Sequence, residues 1–220
     1  MSEQKLEDKD KEKEEIELES DNYLLNFLDS LYAGIIAFSF TIIYSTLVKP
    51  NELVAVNIVE RSILFLMAFV FIVADWTGSR ALTWDYPYLS KNYFARARVF
   101  IDILIGCLYF CLIILASLQS SLYILIFSMV FLLGAGWSYV IRFEYRNYQF
   151  YETKIKEDPR LEAIKLTHLI LALAWFAIWF VDVLLVEDRW TNTAVFPVVV
   201  TSFWLTLILF KGFCWIRLGK

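Results

Sequence analysis

The sequence predicts an all-α integral membrane protein with six transmembrane helices and both termini in the cytoplasm. Three observations carry that prediction. Of 220 residues, 59% are hydrophobic and 20% charged, with a mean hydropathy of +0.57, far more apolar than a soluble domain of this length. The apolar residues collect in six runs, at about 24–47, 57–79, 99–118, 121–141, 164–186 and 194–212, each near the roughly 20 residues a helix needs to cross the hydrocarbon core. Lysine and arginine fall almost wholly in alternate connections, the asymmetry that sets orientation.

Residues 1–22 hold ten of the 24 acidic and four of the 20 basic residues and no aromatic one. Such a segment buries too little apolar surface to offset its ordering entropy, so a disordered acidic cytoplasmic tail is expected ahead of a transmembrane domain over 23–220. It is the opposite of a signal peptide, and the first apolar run is expected to stay in the membrane. That run carries Asp29 near its start. An ionisable side chain within a span is expensive and reads as functional by default. With no basic residue nearby in sequence, the partner of Asp29 is expected from another helix, from water or from an ion. The same run presents Ser30, Gly34, Ala37, Thr41 and Ser45 on one narrow face. Small residues at these intervals let helices approach closely. They equally suit a narrow pore around a symmetry axis, with Ile35, Ile36 and Phe38 flanking as hydrophobic constrictions.

The second run has an uncharged core of only 13 residues, Ser62 to Ala74, so a crossing must take Arg61 or Asp75 near an interface. Arg61, Phe65, Ala68, Ile72, Asp75 and Ser79 share one helical face, which is expected to look into the protein. Arg80, in the following turn, is a candidate counter-ion for Asp75. The third run opens with Arg98 and Asp102, four residues apart and able to pair along the helix. Cys107 and Cys111 also share a face there. With one histidine in the chain, they read as small packing residues rather than a metal pair, and no metal or cofactor is expected.

The fourth run extends past the membrane into a basic link, and Asp158 with Pro159 suits the N-cap and first position of the fifth helix. On that helix His168, Ala172, Trp175, Trp179 and Asp182 line one face. This is either a buried seam whose indoles hydrogen-bond to other helices or a proton-responsive element, since an unshifted histidine titrates near neutral pH. Asp75, Arg98, Asp102, His168 and Asp182 make up the expected intramembrane polar network. Of the 20 basic residues, only Lys49, Arg61 and Arg189 fall outside the cytoplasmic connections and termini. Trp76, Trp84, Trp190 and Trp215 lie near the expected interfaces, as belt residues do.

Phe27-Leu28-Asp29-Ser30-Leu31-Tyr32-Ala33 resembles the F-S-D-x-x-x-A start of the first helix in the endolysosomal and bacterial potassium-channel family with an FSD motif. Phe69 to Trp76 is similar to the apolar run ending in tryptophan on that family's second helix. Leu28 stands where the motif has serine, and Tyr23 where the family places an arginine. The resemblance implies four six-helix subunits around a pore lined by the first helix. It also implies that Asp29 anchors the cytoplasmic end of that helix through an interhelical network, with Asp75 or Asp102 nearby, and that Ile35, Ile36 or Phe38 sets the narrow point. No TVGYG-like filter is present, so selectivity would come from pore width and side chains.

The expected function is a small oligomeric cation channel, with potassium as the candidate ion, in a bacterial or archaeal plasma membrane. The alternative is a non-conducting membrane anchor or sensor that recruits a cytoplasmic protein partner, as in a bacterial stress or phage-defence system. A transporter lacks support, because no internal repeat is evident. An enzyme is not expected, since no set of acid, base or ligand groups converges. Nucleic-acid binding is not expected either, because orientation already explains the basic link.

Overall fold

A computed structural model describes residues 22–47, 55–89, 92–118, 120–146, 148, 158–185 and 195–218. They form six α-helices: α1 (Asn22–Leu47), α2 (Ala55–Asp85), α3 (Tyr93–Leu118), α4 (Leu122–Glu144), α5 (Pro159–Leu185) and α6 (Val195–Leu218). Over Tyr23–Ser45, Tyr93–Leu118, Leu122–Glu144 and Leu161–Leu184, four of them are long and apolar enough to cross a membrane. The architecture is that of an all-helical membrane protein. The acidic segment 1–21, the connection with Lys49, most of the link after α4, and Arg189 with Trp190 lie outside the described residues.

Two helices overrun their apolar segments for identifiable reasons. α2 continues six residues beyond Ser79 because Thr83 donates its hydroxyl back to the Ser79 carbonyl at 2.8 Å and Leu82 is buried against Tyr86 and Leu89. It stops just before Tyr86-Pro87, where the proline ring disfavours helical geometry in the preceding residue. α3 starts six residues before its apolar run, capped by Asn92, whose side-chain oxygen accepts the Phe94 N–H at 2.9 Å. Arg98 thereby lies inside the helix rather than at its mouth. α5 begins at Pro159, where the missing proline N–H costs no helical bond.

The bundle is built around α4, which lies between α3 and α5. Half of its apolar window is buried, against 22% for α1 at the periphery. The inward face of α2 supplies Phe65, Ala68 and Ile72, all buried, as their shared face anticipates. From α2 an aromatic series runs across the core. The Phe71 ring lies 5.0 Å from Phe127 and 5.1 Å from Phe131 on α4, and Phe127 stacks on Trp175 of α5 at 4.9 Å. Each such pair adds about 0.5–1.5 kcal/mol beyond its area burial.

Two glycines mark close helix contacts. A Cβ at Gly106 of α3 would come within 3.2 Å of Leu31 and 3.3 Å of Ile35, so α1 rests on α3 there. At Gly134 of α4 a Cβ would lie 2.4 Å from the His168 ring of α5. The outer surface carries Leu66, Phe100, Leu132, Ile170, Leu173 and Leu205 exposed, large apolar side chains from five of the helices that suit acyl chains rather than water.

Candidate functional site at the base of the first helix

Asp29 projects from α1 toward α2, where Trp76 and Arg80 stand one helical turn apart and reach the same point. Arg80 Nη2 lies 2.7 Å from Asp29 Oδ2, and Trp76 Nε1 donates to Oδ1 at 3.3 Å. The ion pair is part-exposed, so its strength is modest, but it fixes the start of α1 to the end of α2. Arg80 is therefore the counter-ion of Asp29 and not of Asp75. Asp75 instead accepts a 2.5 Å hydrogen bond from the fully buried Tyr109 hydroxyl of α3.

Arg98 and Asp102 do not pair with each other either. Arg98 has the longer side chain and extends to the end of α4, where its Nη1 meets Glu144 at 2.7 Å with both side chains fully buried. Its Nη2 donates to the Tyr86 carbonyl at 2.7 Å, and its guanidinium lies 3.7 Å from the Tyr88 ring centroid. Asp102, one turn deeper, accepts from the Tyr88 hydroxyl at 2.6 Å and from Trp137 Nε1 at 3.0 Å, both on Oδ2. Burial, and next the nearby Asp102 charge, push the Tyr88 hydroxyl well above its ordinary range, so it remains a donor.

Glu144 also laces down the connection between α2 and α3. Its Oε1 accepts the Leu89 N–H at 2.9 Å, and its carbonyl accepts Asn92 Nδ2 at 2.6 Å. Tyr145 donates to the Pro87 carbonyl. Tyr32 of α1 links the polar groups, stacking on Trp76 at 6.4 Å and meeting Tyr109 edge-on at 6.1 Å. Between α1, α2 and the connection a small cleft opens, lined among others by Asp29, Tyr32, Ser79, Thr83, Tyr88 and Asp102.

The remaining sequence candidates lie elsewhere. Ser30, Gly34, Ala37, Thr41 and Ser45 are all exposed on the side of α1 away from Leu28, Tyr32, Ile35 and Ser39, which pack inward. A Cβ at Gly34 would meet nothing within 4 Å. Ile35 is buried against α3 rather than flanking the small face, and Ile36 packs partly into the core. Phe38 stacks on Phe110 of α3 at 4.1 Å. His168 sits in the seam between α4 and α5, its Nδ1 donating to the Ile164 carbonyl at 2.8 Å and its ring 5.7 Å from Phe131. Ala172, Trp175 and Asp182 are buried along the same face, and Trp175 Nε1 donates to Thr206 of α6 at 3.2 Å. His168 and Asp182 thus lie along the seam, with His168 still close enough to Asp75 for the two to interact electrostatically. Cys107 and Cys111 are exposed and unbonded rather than packed. Trp76 is part of the site through its Asp29 hydrogen bond, and Trp84 is exposed.

Glu144, Tyr88, Tyr109 and Trp137 are the residues that sequence reasoning missed. A tyrosine or tryptophan in an apolar run carries a polar tip that needs a partner when buried, and that signal was available at Tyr109 and Trp137. Among the described residues no group of three or more His, Cys, Asp or Glu is placed to hold a metal ion. Together the fold and the cluster define a helical membrane protein whose first helix is clamped at one end. No family model matches the chain, and neither curated proteins nor solved structures give a match.

Proposed function

We propose that the chain is one subunit of a small oligomeric cation channel in a plasma membrane. All six helices cross the bilayer, both termini are cytoplasmic, and α1 lines a pore on the assembly axis. One observation carries the reading: the small face of α1, with Ser30, Gly34, Ala37 and Thr41, is left uncovered within the protomer while Asp29 clamps the base of that helix. A peripheral helix with a small, hydroxyl-bearing outer face and a fixed base suits assembly around an axis with a narrow path between subunits. The resemblance of Phe27 to Ala33 to the FSD-motif potassium channels favours potassium as the permeant ion. With Ile35 turned toward α3, Ile36 and Phe38 remain as the bulky flanks of the path.

A second observation favours a non-conducting assembly. Ser30, Thr41 and Ser45 each donate to a carbonyl of their own helix, at 2.9, 3.3 and 2.9 Å, as hydroxyls in packed membrane helices do. Ion flux separates the readings. The purified protein, reconstituted in liposomes, is expected to pass potassium or sodium down a gradient, and Asp29→Asn to change that flux several-fold while the oligomer keeps its size. Folded, inserted protein that passes neither ion would transfer the assignment to an anchor or sensor.

A further inference from the structure

Away from the clamp on α1, exposed rings and positive charge stand together where the end of α4 meets the starts of α3 and α5. Tyr93, Phe94, Tyr139 and Phe143 are all exposed, yet they form a connected series. The Phe94 ring stacks on Phe143 at 5.5 Å and meets Tyr93 edge-on at 5.9 Å, and Tyr139 lies 6.0 Å from Phe143. A tyrosine at the end of an apolar helix has an apolar body and a polar tip, which suits the depth of lipid headgroups.

Three basic side chains border this series. Lys165 of α5 holds its ammonium 5.2 Å from the Tyr139 ring centroid and 2.6 Å from Glu162 Oε1. Arg142 of α4 meets the other oxygen of the same carboxylate. Glu162 thus orients two cations with one negative charge and engages one donor of each, whereas an arginine has five N–H donors and a lysine three. Arg146 follows at the turn that ends α4, where its backbone N–H donates to the Phe143 carbonyl at 3.4 Å. Its side chain is exposed and has no hydrogen bond or ion pair among the described residues. Three cations against one carboxylate leave the patch an excess of positive charge with open donors.

Deeper along the same helix faces the surface turns apolar. Leu169, four residues on from Lys165, and Leu132, seven before Tyr139, are both exposed and give an acyl chain a wall below the charged groups. A soluble anion would use neither this wall nor the rings. We propose that the patch binds an anionic glycerophospholipid, with Arg142, Arg146 and Lys165 on the phosphate, Tyr139 and Phe143 beside the glycerol, and the chains along α4 and α5. Basic pockets between membrane helices take anionic headgroups in this way, and charge-assisted hydrogen bonds to phosphate are the strong ones. The site requires α4 and α5 to cross the bilayer, for which both are long and apolar enough, and it holds whether or not the chain conducts ions.

The test is native mass spectrometry of the purified full chain from mixed micelles holding equal amounts of phosphatidylglycerol and phosphatidylcholine, counting the lipids retained per chain. Wild type is expected to retain phosphatidylglycerol over phosphatidylcholine by about five-fold or more, the factor that one basic group contributes at an anionic lipid surface. Arg146→Gln breaks no side-chain interaction among the described residues and is expected to lower that preference about five-fold, with phosphatidylcholine retention unchanged. Lys165→Gln is expected to do the same, and Arg146→Gln decides alone if it fails to fold. Arg96→Gln removes another exposed guanidinium, nearly opposite Phe94 around α3, and is expected to keep the wild-type preference. Equal retention of both lipids by wild type would overturn the proposal. So would a loss in Arg96→Gln as large as in Arg146→Gln, which would mean a diffuse field rather than a site. Displacement of the lipid by an equal concentration of glycerol 3-phosphate would assign the patch to a soluble phosphate and overturn it as well.

Discussion

Arg98 and Glu144 are completely buried 2.7 Å apart, so each depends on the other for its charge. Glu144→Gln keeps an acceptor for the Leu89 N–H but leaves the guanidinium uncompensated. It is expected to destabilise the protein by ~3–5 kcal/mol, read as a fall in unfolding midpoint. Replacing both, as Arg98→Met with Glu144→Leu, is expected to recover most of that loss, because the desolvation penalty goes with the charges. Tyr109→Phe strips Asp75 of its 2.5 Å donor and should cost about 1–3 kcal/mol in the same assay. The carboxylates were legible in the sequence because a charge interrupts an apolar run. Their partners were not. The four-residue spacing of Arg98 and Asp102 invited a local pair, whereas Glu144 is 46 residues from Arg98 and only tertiary packing brings it there.

Helix positions followed from hydropathy, but helix ends did not. α2 and α3 each run six residues past the apolar segment, because Leu82 and Arg98 find buried partners that a lipid-crossing criterion does not count. The contact of α4 with α5 makes a sharper test of packing at this scale. In Gly134→Ala the new methyl would overlap the His168 ring, whose Cδ2 and Nε2 lie 2.4 and 2.8 Å from the Cβ position. His168 is buried, so the two helices must separate, at a cost of about 1–3 kcal/mol. At Gly136, two residues on, a Cβ meets nothing within 4 Å, and alanine there should be neutral or stabilise by up to ~1 kcal/mol through helix propensity. Comparing the two unfolding midpoints checks both statements. The face shared by His168, Trp175 and Asp182 was visible from its spacing. What it packs against was not, since glycine gives no hydropathy signal of a close approach.

For the whole molecule, the distribution of arginine and lysine predicts that both ends of the chain lie on the cytoplasmic side. Protease or antibody access to tags at each terminus in sealed, oriented vesicles should report the same side for both, and opposite sides would mean an odd number of crossings. The proposed pore rests on the outer face of α1, whose small residues Ser30, Gly34, Ala37 and Thr41 are exposed among the described residues. Gly34 and Gly136 provide a matched pair, because neither has a neighbour within 4 Å of its Cβ position and only Gly34 lies on α1. The decisive measurement is potassium and sodium flux in proteoliposomes for wild type, Gly34→Leu and Gly136→Leu. The account predicts cation flux in wild type and in Gly136→Leu, and a loss of ten-fold or more in Gly34→Leu as leucine fills the path. Flux in Gly34→Leu equal to wild type, or no flux from inserted wild-type protein, would contradict it.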